Sequence, residues 1–439
     1  MSVPDWTSRR LHFIAIGGAG MSGLALVCHR LGARVSGSDR AESSYMERLR
    51  RAGLEPFLGH DAGQVPADAE VVVSTAVPED NPELALARGR GQQVIHRGDL
   101  LAELCAQKRL IAVSGTHGKT TTAAMLVWAL REAGADPAWF LGGELPGAGD
   151  GGEEANAGWG EGTWAVAEAD ESDGSFLRLH PEVAVITNVE MDHHSRWASM
   201  AELRAAFASF AAGAGAVAAP SGPDLDPLLA GAPMALRFDE SSPGPGRLEL
   251  SVPGRHNLLN ARAALAAIEL AGLDPEAGAA GLASFPGVRR RLELKGTVRG
   301  ARVYDDYAHH PTEVRAALEA LRELGPRRLY AVFQPHLYSR TKAFAEEFGA
   351  ALGAADEVAV LEVYPAREEP VGELAGVSGL MVARAAADRA GGRPVWWLGD
   401  AETARRALGP RLAEGDLLVT IGAGDVFTLA DALIGEAGG

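Results

Sequence analysis

The sequence predicts an α/β protein built from three successive domains, and three observations carry that prediction. Its 439 residues suffice for roughly three units that each bury a core. Short apolar runs of strand length alternate with helical stretches along the chain, the pattern of open and mainly parallel sheets. Two of those strands empty into glycine-bounded turns that lead straight into a helix, at residues 17–23 and 115–118.

The second of these turns organises the chain. Leu110, Ile111, Ala112 and Val113 form a buried strand, Gly115 and Gly118 let the backbone turn tightly, and TTTAAMLVWALREAG is helical as far as Gly134. Backbone N–H groups at such a helix start, backed by the helix dipole, face an anion. In that geometry Lys119 reaches the β- and γ-phosphates of a nucleotide, and Thr120 offers its hydroxyl to Mg²⁺. Position 113 is Val where the full G-x-x-x-x-G-K-[ST] pattern has its first glycine, so GTHGKTT is a variant loop.

Upstream, LHFIAIGGAGMSGLALVCHRLG reads as strand, turn and helix, with Gly18, Gly20 and Gly23 completing G-x-G-x-x-G. Asp39 ends the next strand, about where a dinucleotide fold places an acid on a ribose. The same glycines would equally hold the diphosphate of another nucleotide or pack a helix closely on its sheet. An open sheet binds ligand at the carboxyl ends of its strands, which puts Gly17, Gly18, Ala19, Gly20, Met21, Ser22 and Gly23, with Asp39 and Ser74, at one rim.

Downstream of the phosphate loop, TWAVAEADESDGSFL is an apolar strand emptying into acids. A carboxylate there suits Mg²⁺, a hard cation that prefers oxygen ligands. Glu171 is the first choice, ahead of Asp170 and Asp173. PEVAVITNVEMDHH is another strand with a polar tip, whose His193 and His194 are either surface residues or face the same phosphates. RHNLLNARAALAAIELAG is a helix; at its start His256, Asn257 and Asn260 read a base edge or cap the helix. Arg289, Arg290 and Arg291 are more cation than a solvated face of an acidic protein requires, which suits a phosphate. ARVYDDYAHHPTEV ends in two acids, Tyr307, His309 and His310, with Pro311 starting a helix. The two histidines lack a third ligand at zinc spacing, and no serine-nucleophile elbow occurs.

Composition excludes other classes. A net charge of −17 argues against a nucleic-acid or anionic-membrane surface. Cys28 and Cys105 both fall in apolar helical stretches, which rules out a disulfide framework and favours a reducing compartment. With no apolar leader and no apolar run of about eighteen residues, a cytoplasmic protein is expected.

Eight motifs, GGAGMSGLA, GTHGKTTT, EADESDGSFL, ITNVEMDH, PGRHNLLNA, DDYAHHPTE, FQPHLYSRT and VYPAREEP, follow one another over nearly the whole chain. Together they resemble the Mur ligase family of peptidoglycan synthesis. The resemblance implies a Rossmann-like UDP-sugar domain at 1–107, a central ATP-binding domain at 108–287 and a second Rossmann-like domain at 288–439. It implies joining of the lactyl carboxylate of UDP-N-acetylmuramate to L-alanine, through an acyl phosphate, while ATP becomes ADP and phosphate. A ligase that attaches a whole tripeptide to the same sugar is the alternative.

By the same resemblance, Gly115, Thr116, His117, Gly118 and Thr121 cradle ATP, and Lys119 and Arg291 steady its γ-phosphate. Thr120 and Glu171 hold one Mg²⁺, and His193 helps hold a second. Asn257, Asn260 and His256 take adenine, and Asp306 takes ribose. Tyr307, His309, His336 and Arg340 line the alanine pocket, and Gly17 to Gly23 bind the UDP diphosphate. Two departures stand out: residues 212–252 look short, so the central sheet's edge is expected to be trimmed, and Leu337 replaces a basic residue found in several relatives.

Overall fold

The computed structural model describes residues 5–149, 155–192, 196–242, 248–366 and 368–437. Alternating strands and helices build three sheets, one after another along the chain. The first joins β1 (Arg10–Ile14), β2 (Arg34–Asp39), β3 (Phe57–Leu58), β4 (Glu70–Val73) and β5 (Val94–His96). All pair in parallel, in the order β3-β2-β1-β4-β5. The chain reverses its winding at β1, so the glycine-rich turn after β1 opens into the crevice between β2 and β4.

The second sheet contains β6 (Arg109–Ser114), β7 (Ala138–Leu145), β8 (Ala155–Gly158), β9 (Trp164–Glu168), β10 (Val183–Ile186), β11 (Ala216–Pro220) and β12 (Ala235–Phe238). Its order is β12-β11-β10-β6-β9-β7-β8, and β8 alone runs antiparallel. Ile111, Ala112 and Val113 are fully buried, because helices cover both faces of a mainly parallel sheet. The phosphate-loop strand β6 lies between β9 and β10, as the two polar-tipped strands of the sequence require. On the side formed by residues 212–252 the sheet ends in β11 and the four-residue β12.

The third sheet is β13 (Glu293–Val298), β14 (Ala301–Asp306), β15 (Leu329–Phe333), β16 (Glu357–Leu361), β17 (Val395–Gly399) and β18 (Leu417–Ile421). Its order is β13-β14-β18-β15-β16-β17, with β13 antiparallel. Separate apolar cores cover its two faces, around Phe333 and Phe348 on one and Tyr330 and Leu418 on the other. The first two sheets belong to one compact unit, residues 1–250 and 258–286; the third belongs to a second, residues 251–257 and 287–439. Among the described residues no helix is long and apolar enough to cross a membrane.

Candidate active site

In the first unit, the turn after β6 leads into the helix Lys119–Glu132 as expected. Gly115 has φ +136, and a side chain there would lie 2.0 Å from Thr187 Oγ1; Gly118 has φ +80, and one there would lie 2.5 Å from Asn260 Oδ1. Only glycine meets both demands, which is why two glycines bound this loop. The tip of β10 grips the loop from outside. The His117 N–H donates to Asn188 Oδ1 at 2.9 Å, Thr187 Oγ1 donates to the His117 carbonyl at 2.6 Å, and Thr116 Oγ1 donates to the Glu190 carbonyl at 3.0 Å. Asn260 accepts from Thr122 Oγ1 at 3.2 Å, behind the loop.

Lys119 Nζ bonds the carbonyls of Gly115 at 2.7 Å and Thr116 at 3.1 Å and pairs with Glu171 at 2.9 Å. Burial pulls the ammonium down, but Glu171, Asp170 and Glu168 outweigh it and hold Lys119 charged. Burial pushes the Glu171 carboxyl up to about 7, against the pull of Lys119. Thr120, the expected partner of Glu171 in holding Mg²⁺, instead donates to Glu168 Oε1 at 3.0 Å. Glu168 ends β9 in register with Val113, so its carboxylate emerges beside the loop, while Glu171, in the irregular segment that follows, lies against the lysine. A hydroxyl and a carboxylate converging at strand ends next to a phosphate loop form a hard-oxygen pair that fits Mg²⁺. Glu168, which the sequence alone did not single out, is the carboxylate that Thr120 meets. Its signal was its place as the last residue of the apolar run WAVAE. His193 and His194 lie outside the described residues.

The glycine turn after β1 and the acids after β9 share one cavity of about 230 Å³, lined among others by Gly20, Arg97, Phe140, Asn156, Glu168 and Asp170. Asp39 fixes the turn by accepting the Gly17 N–H at 2.9 Å, and Asn156 Nδ2 donates to the Ala19 carbonyl at 2.5 Å. Ser22 and Met21 are buried in the following helix, and Ser74 is half-buried just beyond β4. Arg97 bonds Asp170 at 3.0 Å and Asp173 at 2.9 Å, and its Nη1 is 3.1 Å from where a Gly20 side chain would begin. Burial would raise Asp170, yet Lys119 and Arg97 together hold it down at about 2. Arg97 also escaped the sequence reading. A cation in the first turn of a helix opposes the dipole, and that was the available sign that another group holds it.

In the second unit the three arginines separate by task. Arg289 pairs with Glu293. Arg290, at φ +58, bonds Asp305 at 3.1 Å and the carbonyls of Gly422 and Gly424 at 2.8 and 3.1 Å. Arg291 meets Glu313 only at 3.8 Å and lies over the Tyr307 ring, which leaves it the best placed of the three for an anion. Asp306 accepts the N–H groups of Leu292 and Ala308, each at 2.7 Å, so it braces the Arg291 turn; burial raises it to about 6. His256 is pushed down to about 4 by burial, and Asn257 Nδ2 donates to the Pro253 carbonyl at 2.7 Å, which ties it to the helix entry. His310 caps the helix Pro311–Glu323 in a capping box with Glu313. The structure brings Tyr307, His309, His336 and Arg340 together: Tyr307 and His309 rings are 5.5 Å apart, His309 and His336 rings 6.2 Å, and Arg340 Nη1 lies 3.5 Å from His336 Nδ1.

This arrangement has counterparts among known proteins. Three family models match in order: "Mur ligase family, catalytic domain" over residues 10–109, "Mur ligase middle domain" over 113–218 and "Mur ligase, glutamate ligase domain" over 290–424. The chain belongs to the Mur ligase family. The Mur ligases most similar to it include the UDP-N-acetylmuramate–L-alanine ligase of Kineococcus radiotolerans, 46% identical over 97% of this chain and 95% of that one. The enzyme of the same name from Mycolicibacterium vanbaalenii is 44% identical over 98% and 96%. Among solved Mur ligase structures, the UDP-N-acetylmuramate–alanine ligase of Thermotoga maritima superposes with a TM-score of 0.82, at 28% identity over 97% and 98% of the two chains.

Proposed function

We propose that this Mur ligase joins L-alanine to the lactyl carboxylate of UDP-N-acetylmuramate and converts ATP to ADP and phosphate. One observation carries the reading: the similarity to alanine-adding ligases runs over nearly the full length of both chains. The residue geometry supports the chemistry. A carboxylate is a poor electrophile, so it first attacks the γ-phosphorus; the bond to the β-phosphate oxygen breaks and ADP leaves. The amine nitrogen then attacks the acyl carbon, the carbon–oxygen bond to phosphate breaks, and a proton leaves the nitrogen.

Residues 1–107, 108–287 and 288–439 are the proposed domains for UDP-sugar, ATP and amino acid. The backbone from Gly115 to Thr121 cradles the triphosphate, and Lys119 leaves its loop carbonyls to follow the charge that shifts during transfer. Mg²⁺ would be held by Thr120 and Glu168, with Glu171 behind them; it supplies neutralisation of phosphate oxygens. Arg291 serves the γ-phosphate, and His256, Asn257, Asn260 and Asp306 serve the nucleoside. Gly17 to Gly23, with Asp39 and Ser74 at the same rim, take the UDP-sugar. Tyr307, His309, His336 and Arg340 take alanine. Local basic and N–H groups hold these anions in a protein of net charge −17; no nucleic acid or membrane takes part.

ADP release and product mass with UDP-N-acetylmuramate and each of L-alanine, glycine and L-Ala-γ-D-Glu-diamino acid test the reading. L-alanine is expected to give the highest kcat/KM, with glycine about 10- to 200-fold lower for want of one methyl. A preference for the tripeptide would overturn it.

A further inference from the structure

We infer that Tyr364 is a positioning residue for the amino-acid substrate, acting through His336; the inference rests on the reading of that cluster as the amine pocket. The Tyr364 and His336 rings are stacked, with centroids 5.8 Å apart and planes 12° from parallel. They are held by a backbone bracket. The two residues form a parallel bridge, the Tyr364 N–H donates to the Pro335 carbonyl at 2.8 Å, and the Leu337 N–H donates to the Tyr364 carbonyl at 2.9 Å.

Closing that bracket puts Leu337 at φ +68, ψ 134, a conformation costly for a residue with a side chain. The strain is local to the residue between His336 and the helix that carries Arg340. Behind the ring, Gly424 packs so closely that a side chain there would lie 2.6 Å from Tyr364 Cγ and 2.4 Å from Gln334 Oε1. Gln334 in turn donates to Asp425 at 2.7 Å and accepts the Val426 N–H at 3.1 Å, which fixes the glycine loop. The tyrosine is therefore wedged, and its stacking fixes the plane of the imidazole beside it.

That orientation has a chemical meaning. On the edge of the stacked ring, Arg340 Nη1 lies 3.5 Å from His336 Nδ1, so the imidazole and the guanidinium face one pocket. A ring held that way presents its polar edge at a fixed angle to the substrate's polar groups. Tyr364 sets the direction of that edge by offset stacking, which tolerates loss of the hydroxyl but not of the ring.

The test compares Tyr364→Phe, Tyr364→Leu and Tyr364→Met, alone and combined with His336→Ala, reading KM for the amine, KM for ATP, kcat and Tm. Tyr364→Leu should raise the amine KM about tenfold or more with ATP KM within twofold, and Tyr364→Phe should match the parent. In the His336→Ala background, Tyr364→Leu should add nothing further. If the leucine variant does not fold, methionine carries the comparison. An unchanged amine KM without the ring, or an effect that multiplies with that of His336→Ala, would overturn the proposal. KM is read for whichever amine the parent uses, so a parent that prefers the tripeptide overturns the functional reading and leaves this measurement intact.

Discussion

Lys119 Nζ lies 2.9 Å from one carboxylate oxygen of Glu171 and 3.1 Å from the other, with side-chain exposures of 13% and 2%. The pair stores a cation at the mouth of the phosphate loop, between the two loop carbonyls it also bonds. A bound phosphate would compete with the glutamate for it. Lys119→Ala should therefore leave a folded protein, since Glu171 can take up a proton once its partner is gone, while ligase activity falls by about two orders of magnitude or more. Circular dichroism and ADP release check both halves. A variant with near-parental activity would remove the lysine from the chemistry.

The hydroxyl of Thr120 bonds Glu168, not Glu171. A Mg²⁺ titration separates the two acids. Glu168→Gln should raise the concentration for half-maximal rate several-fold, because it removes an anionic oxygen beside the metal's hydroxyl ligand. Glu171→Gln should change kcat more than the metal requirement. Overlaid titrations for Glu168→Gln and the parent would sink the assignment.

The pH dependence of stability follows from Glu171. Its carboxyl is raised by burial from the ordinary 4.5 to about 7, so the folded protein binds the proton more tightly than the unfolded chain. The corresponding stability is fully present below about pH 4.5 and is lost as pH rises through about 7, an effect on the order of 1 to 3 kcal/mol. Asp306, raised to about 6, acts in the same direction. Ligand-free Glu171→Gln should show a flatter Tm profile than the parent between pH 4.5 and 7.5. Parallel profiles would mean that the lysine already neutralises the carboxyl's cost.

Arg97 ties Asp170 and Asp173 to the wall of the cavity shared with the glycine turn. Arg97→Gln removes the cation between two acids, so Tm should fall by several degrees and the KM for the UDP-sugar should rise about tenfold, with ATP KM little changed. Calorimetry with UDP-N-acetylmuramate reads the binding half directly. Unaltered sugar binding in a destabilised variant would leave Arg97 a purely structural residue.

What the sequence determined by itself was local. Gly115, Gly118 and Lys119 announce a phosphate loop because a tight turn entering a helix demands those residue types at that spacing, and the alternation of strands with helices announces parallel sheets. The clustering of Tyr307 with His309 was legible for the same reason, being set by three residues of one strand tip. Tertiary structure decided which groups meet. Glu168 and Glu171 sit on the same acidic run, and only the register of β9 against β6 turns the first to Thr120 and the second to Lys119. Arg97 reaches Asp170 across 73 residues of chain, and Tyr364 stacks on His336 across a backbone bracket that strains Leu337. Such pairings depend on ångström distances between separate elements, which spacing along the chain does not encode.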